Sequence, residues 1–289
     1  MKKYILLLSL LFSILCLCSC INSKDDLPIV NSKSDSSTFS IHFIDVGQGD
    51  SALVECDGRY MLIDGGDESH GNKVYSVLEE KQIQNLDILI MSHLHEDHIG
   101  GLKKALSYAS NIKKTYSNSD YSETKIFKDV EHQLGINDTK ITIPHEGDTF
   151  KLGNANIEVV DVSNQNNNDS LVLMITYGKT RFLFTGDIEY KAQSRIAEKY
   201  MNDNDKEFKI DLIKMPHHGS YEGSLYKFIR TFMPNYAVIS VGSKNNYGHP
   251  HKETLDLLEH AEVKVYRTDI DGDIIVRSNG KELSFETSK

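Results

Sequence analysis

Ten residues, Ser92-His93-Leu94-His95-Glu96-Asp97-His98-Ile99-Gly100-Gly101, bring three imidazoles and the Asp97 carboxylate close together in the chain. His93 and His95 are two apart, so on an extended chain their side chains leave the same face. Asp97 and His98 follow where the chain turns and can approach from the other side. Imidazole nitrogen with carboxylate oxygen is the donor set of zinc and related divalent cations. An exposed acidic loop would explain a lone pair of histidines. Four donors at the mouth of an apolar strand fit a metal site better.

Residues 86–91 are that strand, a nearly continuous apolar run, and residues 102–106 after Gly100-Gly101 read as a short helix. The donors therefore sit where a core strand gives way to a helix, the crevice in which open α/β sheets place ligands. Three further polar clusters also end apolar runs. They are Asp64 in Leu62-Ile63-Asp64-Gly65-Gly66, Asp187 in Phe184-Thr185-Gly186-Asp187, and His217-His218 after Ile213-Lys214-Met215-Pro216. Each alone is ordinary, since an aspartate after a strand is usually a turn or cap residue. Parallel strands of a sheet, however, present the same edge, and there four polar ends agree.

A two-metal site needs roughly six protein ligands and a group bridging ions about 3.5–4 Å apart. His93, His95, Asp97, His98, a bridging Asp187 and one histidine of the 217/218 pair supply them. The reading takes His218 as the ligand and His217 as a catalytic group, with the order of the two left open. Two zinc or manganese ions so held would activate a water at neutral pH and offset charge developing on a carbonyl or phosphoryl oxygen. A serine or cysteine nucleophile is then superfluous, and Cys56 reads as a strand residue. Asp97 both binds metal and orients the water. His249, in the loop Tyr247-Gly248-His249-Pro250-His251, either donates a proton to the leaving group or merely starts a helix. His70 and His145 lie in polar loops and receive no role.

Around these ends the hydrophobic period alternates between two and 3.6 residues. Residues 39–46 alternate as a strand, and 51–56 with 59–63 form a hairpin across Asp57-Gly58. Helical spacing follows over 72–84 and 122–134, with a strand near 112–116 between them. The second half repeats the plan, with strands at 140–143, 149–152 and 157–162 and a hairpin of 171–177 with 180–184. A helix over 190–201 precedes a strand at 211–215, then a helix over 225–232, a strand at 236–241, a helix over 251–260 and a strand at 263–268. Residues 274–277 and 282–286 close the chain as a hairpin over Asn279-Gly280. Two strand-then-helix halves without a linker imply an α/β protein, a four-layer αββα sandwich forming one domain over residues 39–289.

The composition, 39% hydrophobic and 26% charged, describes a globular body. A net charge of -10, or -12 once Lys2 and Lys3 leave with a cleaved leader, makes bulk nucleic acid and anionic lipid poor electrostatic partners. Residues 1–20 form that leader: Lys2-Lys3, then an apolar stretch from Tyr4 to Leu17 that is short for a bilayer span. Leu17-Cys18-Ser19-Cys20 resembles a bacterial lipobox, with cleavage before Cys20 and lipid on its sulfur as the membrane anchor. Cys56 is then the one thiol of the body, so no internal disulfide is expected. Residues 21–38, rich in Ser, Asp, Asn and Lys, read as a flexible tether.

His93-x-His95-x-Asp97-His98, with Asp64 before it and Asp187 and a late histidine after it, resembles the metallo-β-lactamase fold superfamily over nearly all of residues 39–289. Four stretches narrow the likeness to the hydrolase domain of the ComEC competence family. They are Phe43-Ile44-Asp45-Val46-Gly47-Gln48-Gly49-Asp50-Ser51, Asn168-Asp169-Ser170-Leu171-Val172, Lys214-Met215-Pro216-His217-His218-Gly219-Ser220 and Gly248-His249-Pro250. The resemblance implies the αββα fold and metal-dependent hydrolysis, and many relatives act on phosphodiesters such as DNA or phosphocholine esters of cell-wall polymers. Two features depart from it. Many members carry another ligand histidine where this chain has Asn168-Asp169-Ser170, which would leave one ion less fully held. The channel segments of competence proteins are also missing. The expected function is an extracytoplasmic, lipid-anchored phosphodiesterase whose substrate is a small molecule, a cell-wall polymer or DNA. An amide or ester hydrolase of lactamase or lactonase type is the alternative enzyme. A non-catalytic binding lipoprotein on the same fold is the alternative outside enzymes.

Overall fold

The computed structural model describes residues 38–163, 169–201, 208–221 and 226–289. The leader, Cys20, residues 21–37 of the expected tether and Asn168 lie outside the described residues. Two sheets pack face to face. Among the described residues the first has eight strands, in the order Leu283–Thr287, Ile274–Ser278, Phe39–Phe43, Ala52–Cys56, Arg59–Ile63, Ile88–Met91, Thr115–Ser117 and Ile141–Thr142. The second has seven, in the order Lys264–Arg267, Tyr236–Ile239, Leu212–Lys214, Thr180–Phe184, Leu171–Tyr177, Ala155–Val162 and Thr149–Leu152.

The strand Ile88–Met91 shows why its sequence is apolar throughout. Ile88 and Ile90 face the second sheet, among Phe43, Ile63, Leu173 and Phe184, while Leu89 and Met91 face the helices on the other side. Alternate side chains leave opposite faces, and here both faces are buried. Stacked rings join the sheets, Phe43 on Phe184 at 5.7 Å and Phe39 on both Tyr177 and Phe182 at 5.0 Å. Helices Gly71–Glu80 and Lys125–Ile136 cover the first sheet through Val74, Val77, Leu78, Phe127, Val130 and Leu134. Helices Tyr190–Met201, Tyr226–Phe232 and Lys252–His260 cover the second through Ile196, Phe228, Phe232 and Leu258. The architecture is thus the expected four-layer αββα sandwich.

The division into two halves stops short of the last hairpin. Strand Ile274–Ser278 pairs antiparallel with Phe39–Phe43, so the C-terminal hairpin completes the first sheet rather than the second. What positions the site is the parallel centre of each sheet. Arg59–Ile63, Ile88–Met91 and Thr115–Ser117 run parallel in one, and Thr180–Phe184, Leu212–Lys214 and Tyr236–Ile239 in the other. Their C-terminal ends share one edge, where the Leu171 N–H donates to the Ser92 carbonyl at 2.8 Å and ties the sheets together.

Candidate metal centre

Asp64, His93, Asp187 and His218 stand on or just beyond the ends of four of those strands, and all are buried. The loops carrying them interlock. Gly186 has φ +51°, and a Cβ there would lie 2.5 Å from the Ser170 hydroxyl, so the turn before Asp187 requires glycine. Gly49 also has positive φ, and a Cβ on it would fall on the Asp97 carbonyl. His217 and His218 are both left-handed, at φ 46° and 53°, a conformation costing a non-glycine residue roughly 1–3 kcal/mol. Strain of that kind concentrates at functional sites.

Ligand atoms of Asp97, His98, Asp187 and His218 all lie within 4.8 Å of one another. His98 Nε2 is 3.2 Å from Asp187 Oδ1, and His218 Nε2 is 3.1 Å from Asp97 Oδ2 and 3.6 Å from Asp187 Oδ2. His93 Nε2 approaches Asp187 Oδ2 at 3.9 Å, and the His95 ring lies 4.5 Å from that of His93. His217 Nε2 is 4.0 Å from the same Asp187 oxygen, and the His249 ring lies 5.6 Å from that of His217. The structure therefore brings His93, His95, Asp97, His98, Asp187, His217, His218 and His249 to one place. His70 and His145 stand apart in local turns, beside Asp67 and Asp148.

Three imidazoles are held in the same sense by their rear nitrogens. His98 Nδ1 donates to Asp64 Oδ2 at 2.9 Å, and His218 Nδ1 donates to the Ser240 carbonyl at 3.0 Å. The Ser92 hydroxyl gives its proton to Asp64 at 2.6 Å, so it accepts from His93 Nδ1 at 3.2 Å. Each Nε2 is left facing the centre, the usual outer support of a metal-binding histidine. His93 Nε2, His98 Nε2 and Asp187 Oδ1 are buried and make no well-formed hydrogen bond among the described residues. Buried polar atoms normally have partners. Orphaned atoms of this donor type, converging on one point, are what a bound cation would satisfy.

The electrostatics agree. Burial opposes ionisation of Asp187, but His98 and His218 beside it hold its carboxyl well below the usual carboxylate range. Asp97 is likewise held low, burial being outweighed by the hydrogen bond from His218 and the charge of His98. Burial works against charge on His218, yet Asp187, Asp50 and Asp97 push its pKa up to about 10. His98 is raised in the same way by Asp187 and Asp64. The pocket thus favours positive charge at its centre. His249 behaves oppositely: burial, then His218 and His217, push it down to about 4, which makes it an uncharged hydrogen-bonding group at neutral pH.

The two expected ion positions differ in completeness. Asp97, His98, Asp187 and His218 offer four donors, whereas His93, His95 and Asp187 offer three. At the position of the missing histidine, Ser170 accepts from the Asp187 N–H at 2.9 Å and lies 3.4 Å from His93 Nδ1. Asp169 accepts instead from the Ser163 hydroxyl at 2.7 Å. Several supporting residues escaped the sequence reading. Ser92, Ser170 and Ser240 act through contacts that a serine in the sequence does not announce. Asp50 reads as a turn residue, yet it is buried 2.8 Å from the equally buried Lys214 ammonium and 3.3 Å from His218 Nδ1. Burial opposes its ionisation, but Lys214 and then His218 keep its carboxyl below the usual range. The one available signal was a polar lysine inside the apolar run of 211–215.

Residues 44–243 match the family model described as the metallo-beta-lactamase superfamily. The chain is 30% identical over 276 residues to ComE operon protein 3 of Bacillus subtilis, covering 86% of this chain and 34% of that protein. It is 27% identical to Recombination protein 2 of Haemophilus influenzae, covering 87% of this chain and 30% of that protein. The chain thus spans about a third of the length of these relatives. Among solved structures it is similar to the metallo-beta-lactamase fold protein YhfI from Bacillus subtilis, with a TM-score of 0.56 and 15% identity over 84% of this chain and 100% of that one.

Proposed function

The chain belongs to the metallo-beta-lactamase superfamily, and from that premise we propose that it is a dinuclear hydrolase of phosphodiesters, anchored outside the cytoplasm by lipid on Cys20. The observation that carries the metal reading is the convergence of Nε2 atoms whose Nδ1 partners are fixed, around an Asp187 oxygen that makes no well-formed hydrogen bond among the described residues. His93, His95, Asp97, His98, Asp187 and His218 would hold the ions, zinc or manganese by the chemistry of the donors. Two such cations, when bound, supply a water acidic enough to ionise near neutral pH and stabilise both entering and leaving oxygens of an in-line displacement.

The remaining roles fall to the chain's own groups. Asp97 has a side chain about one-third exposed and one oxygen turned to His218, so its other oxygen can orient a water. Asp187, almost wholly buried, holds its charge between His98 and His218. His217 is partly exposed beside Asp187 and, with the His249 ring next to it, would meet an incoming substrate. The uncharged His249 ring offers a neutral N–H to a leaving oxygen.

The test is turnover of bis-nitrophenyl phosphate by the metal-loaded protein, with Asp187→Asn alongside. We expect the variant to lose activity by orders of magnitude while its melting temperature changes little. Near-normal turnover would reduce Asp187 to a turn residue. Hydrolysis of a β-lactam or lactone alone would replace the phosphodiester reading with the amide or ester one, and no turnover of any substrate would favour a binding protein.

A further inference from the structure

Beyond the metal centre, residues 243–251 form a loop whose shape is fixed by two side chains. The Asn245 amide donates to the carbonyls of Gly242 at 2.8 Å and His249 at 2.7 Å. Its oxygen accepts from the N–H groups of Tyr247 at 3.1 Å and His249 at 2.9 Å. His251 is the second brace. Its Nδ1 accepts from the Tyr221 N–H at 2.9 Å, so Nε2 carries the proton and donates to the Tyr247 carbonyl at 3.2 Å. A loop held this firmly presents its side chains in a set arrangement.

What it presents is aromatic. Going outward from the metal ligands, the His249 ring lies 6.4 Å from that of His218, and the Tyr247 ring stacks on His249 at 5.5 Å and 23°. Tyr247 is nonetheless 67% exposed, and Tyr221, on the loop joined to it by His251, is 55% exposed. The Tyr247 ring is thus exposed while it stacks on a histidine that lines the metal centre, and it offers its free face to a planar or cationic ligand. The polar neighbours decide between the two. Between Ser243 and His251 the loop contains Lys244 and two asparagines but no carboxylate. A quaternary ammonium group gains from carboxylates around an aromatic cage, and Lys244 would repel it. A planar, uncharged ring carried next to a phosphate is attracted by the same set, with stacking on tyrosine and the phosphate toward the cationic side.

We propose that Tyr247 is a specificity-determining residue, forming a subsite that stacks the nucleobase of a nucleotide-type phosphodiester while its phosphate lies at the metal centre. The inference rests on the phosphodiester reading above and names the group that such a substrate carries.

The test measures binding to the metal-loaded protein by isothermal titration, with adenosine 5′-monophosphate, ribose 5-phosphate and phosphocholine as probes. Adenosine 5′-monophosphate is expected to bind about tenfold or more tighter than ribose 5-phosphate, the scale of one base–aromatic stack. Tyr247→Ala should remove that advantage and leave ribose 5-phosphate unchanged, while Tyr247→Phe should retain it. Equal affinity for the two sugar phosphates in the native protein overturns the subsite and leaves the phosphodiester reading standing. So does tighter binding of phosphocholine that is lost in Tyr247→Ala. Loss of ribose 5-phosphate binding in Tyr247→Ala would make the tyrosine a structural residue. Failure of all three probes to bind would overturn the subsite, while turnover of bis-nitrophenyl phosphate judges the phosphodiester reading separately.

Discussion

Asp187 and its neighbours differ in how many partners back them, and that asymmetry predicts how ions are held. The four-donor set of Asp97, His98, Asp187 and His218 is pre-assembled, whereas His93 and His95 share Asp187 without a further histidine. Protein with both positions filled should lose one ion readily on dialysis and keep the other. His93→Ala should retain about one ion per chain, and His98→Ala should retain less than that. Metal content measured after exhaustive dialysis checks this, and an undiminished content in His98→Ala would remove the central claim. Asp64→Asn tests the support behind the ligand, because loss of its charge loosens the His98 orientation. Metal affinity should fall about 10–100-fold, the usual effect of removing such an outer partner.

That His93, His95, Asp97, His98, Asp187 and His218 would come together was legible because four of them are close in the chain and the others end apolar runs. The support was not. Ser92, Asp50 and Lys214 acquire their roles from contacts across the chain, and nothing local in a serine, a turn aspartate or a strand lysine signals them. The same holds for Asn245 and His251, whose work is to join loops.

Among the elements, turn chemistry made the hairpins legible to the residue. Asp57-Gly58 and Gly178-Lys179 fix the strands Arg59–Ile63, Leu171–Tyr177 and Thr180–Phe184 where the sequence puts them. The apolar run of 86–91 was less faithful, because Asp87 interrupts it. That carboxylate accepts from the Tyr60 N–H at 3.1 Å and pairs with Arg59 and Lys113, which splits the run into Asn85–Leu86 and Ile88–Met91. The partner of the final hairpin was hidden for a related reason: strand pairing over long separations leaves no local pattern. Asp273 marks that junction. Its carboxylate accepts from the Asp45 N–H and from Lys73, both at 2.9 Å, and lies 3.1 Å from His42 Nε2, so it joins the hairpin, the first strand and the helix Gly71–Glu80.

Burial opposes ionisation of Asp273, but His42, the Asp45 N–H and Lys73 outweigh it and hold the carboxyl below its ordinary 3.8. A carboxylate depressed in the folded state contributes stability that is fully present above its unfolded pKa and lost as pH falls through the folded one. Asp273→Asn should therefore lower the melting temperature at pH 7, with the difference from the native protein shrinking below about pH 4. A difference that stays constant down to about pH 2 would mean that the residue acts by shape alone.

For the molecule as a whole, two properties remain open to test: its address and its reach toward long polymers. No helix among the described residues is long and apolar enough to cross a membrane. If lipid on Cys20 is the anchor, Cys20→Ser should appear in the soluble fraction, because residues 21–38 offer no apolar replacement. A variant that is processed yet stays with the membrane would count against the lipobox.

Charge sets the reach. The chain carries -10 overall, and three of the four lysines in its short basic runs, Lys103-Lys104 and Lys113-Lys114, are engaged within the body. Lys103 pairs with Asp129 at 3.1 Å, Lys113 with Asp87 at 2.6 Å, and Lys104 lies over the Tyr75 ring at 4.4 Å. A groove that tracks a duplex needs several free cations in a row, and each phosphate contact adds to the salt dependence of binding. A subsite for a single nucleotide needs no such row, which joins the charge of the whole to the Tyr247 loop. Hydrolysis of small phosphodiesters should therefore be at least as efficient as that of duplex DNA, and DNA binding should be weak at physiological salt. The comparison is a set of rates on bis-nitrophenyl phosphate, nitrophenyl phosphocholine and plasmid DNA, each with added zinc or manganese. Efficient cutting of plasmid with inert small esters, together with DNA affinity that falls steeply as salt rises, would show that lysines and arginines line a groove after all and would make the protein a nuclease of long DNA.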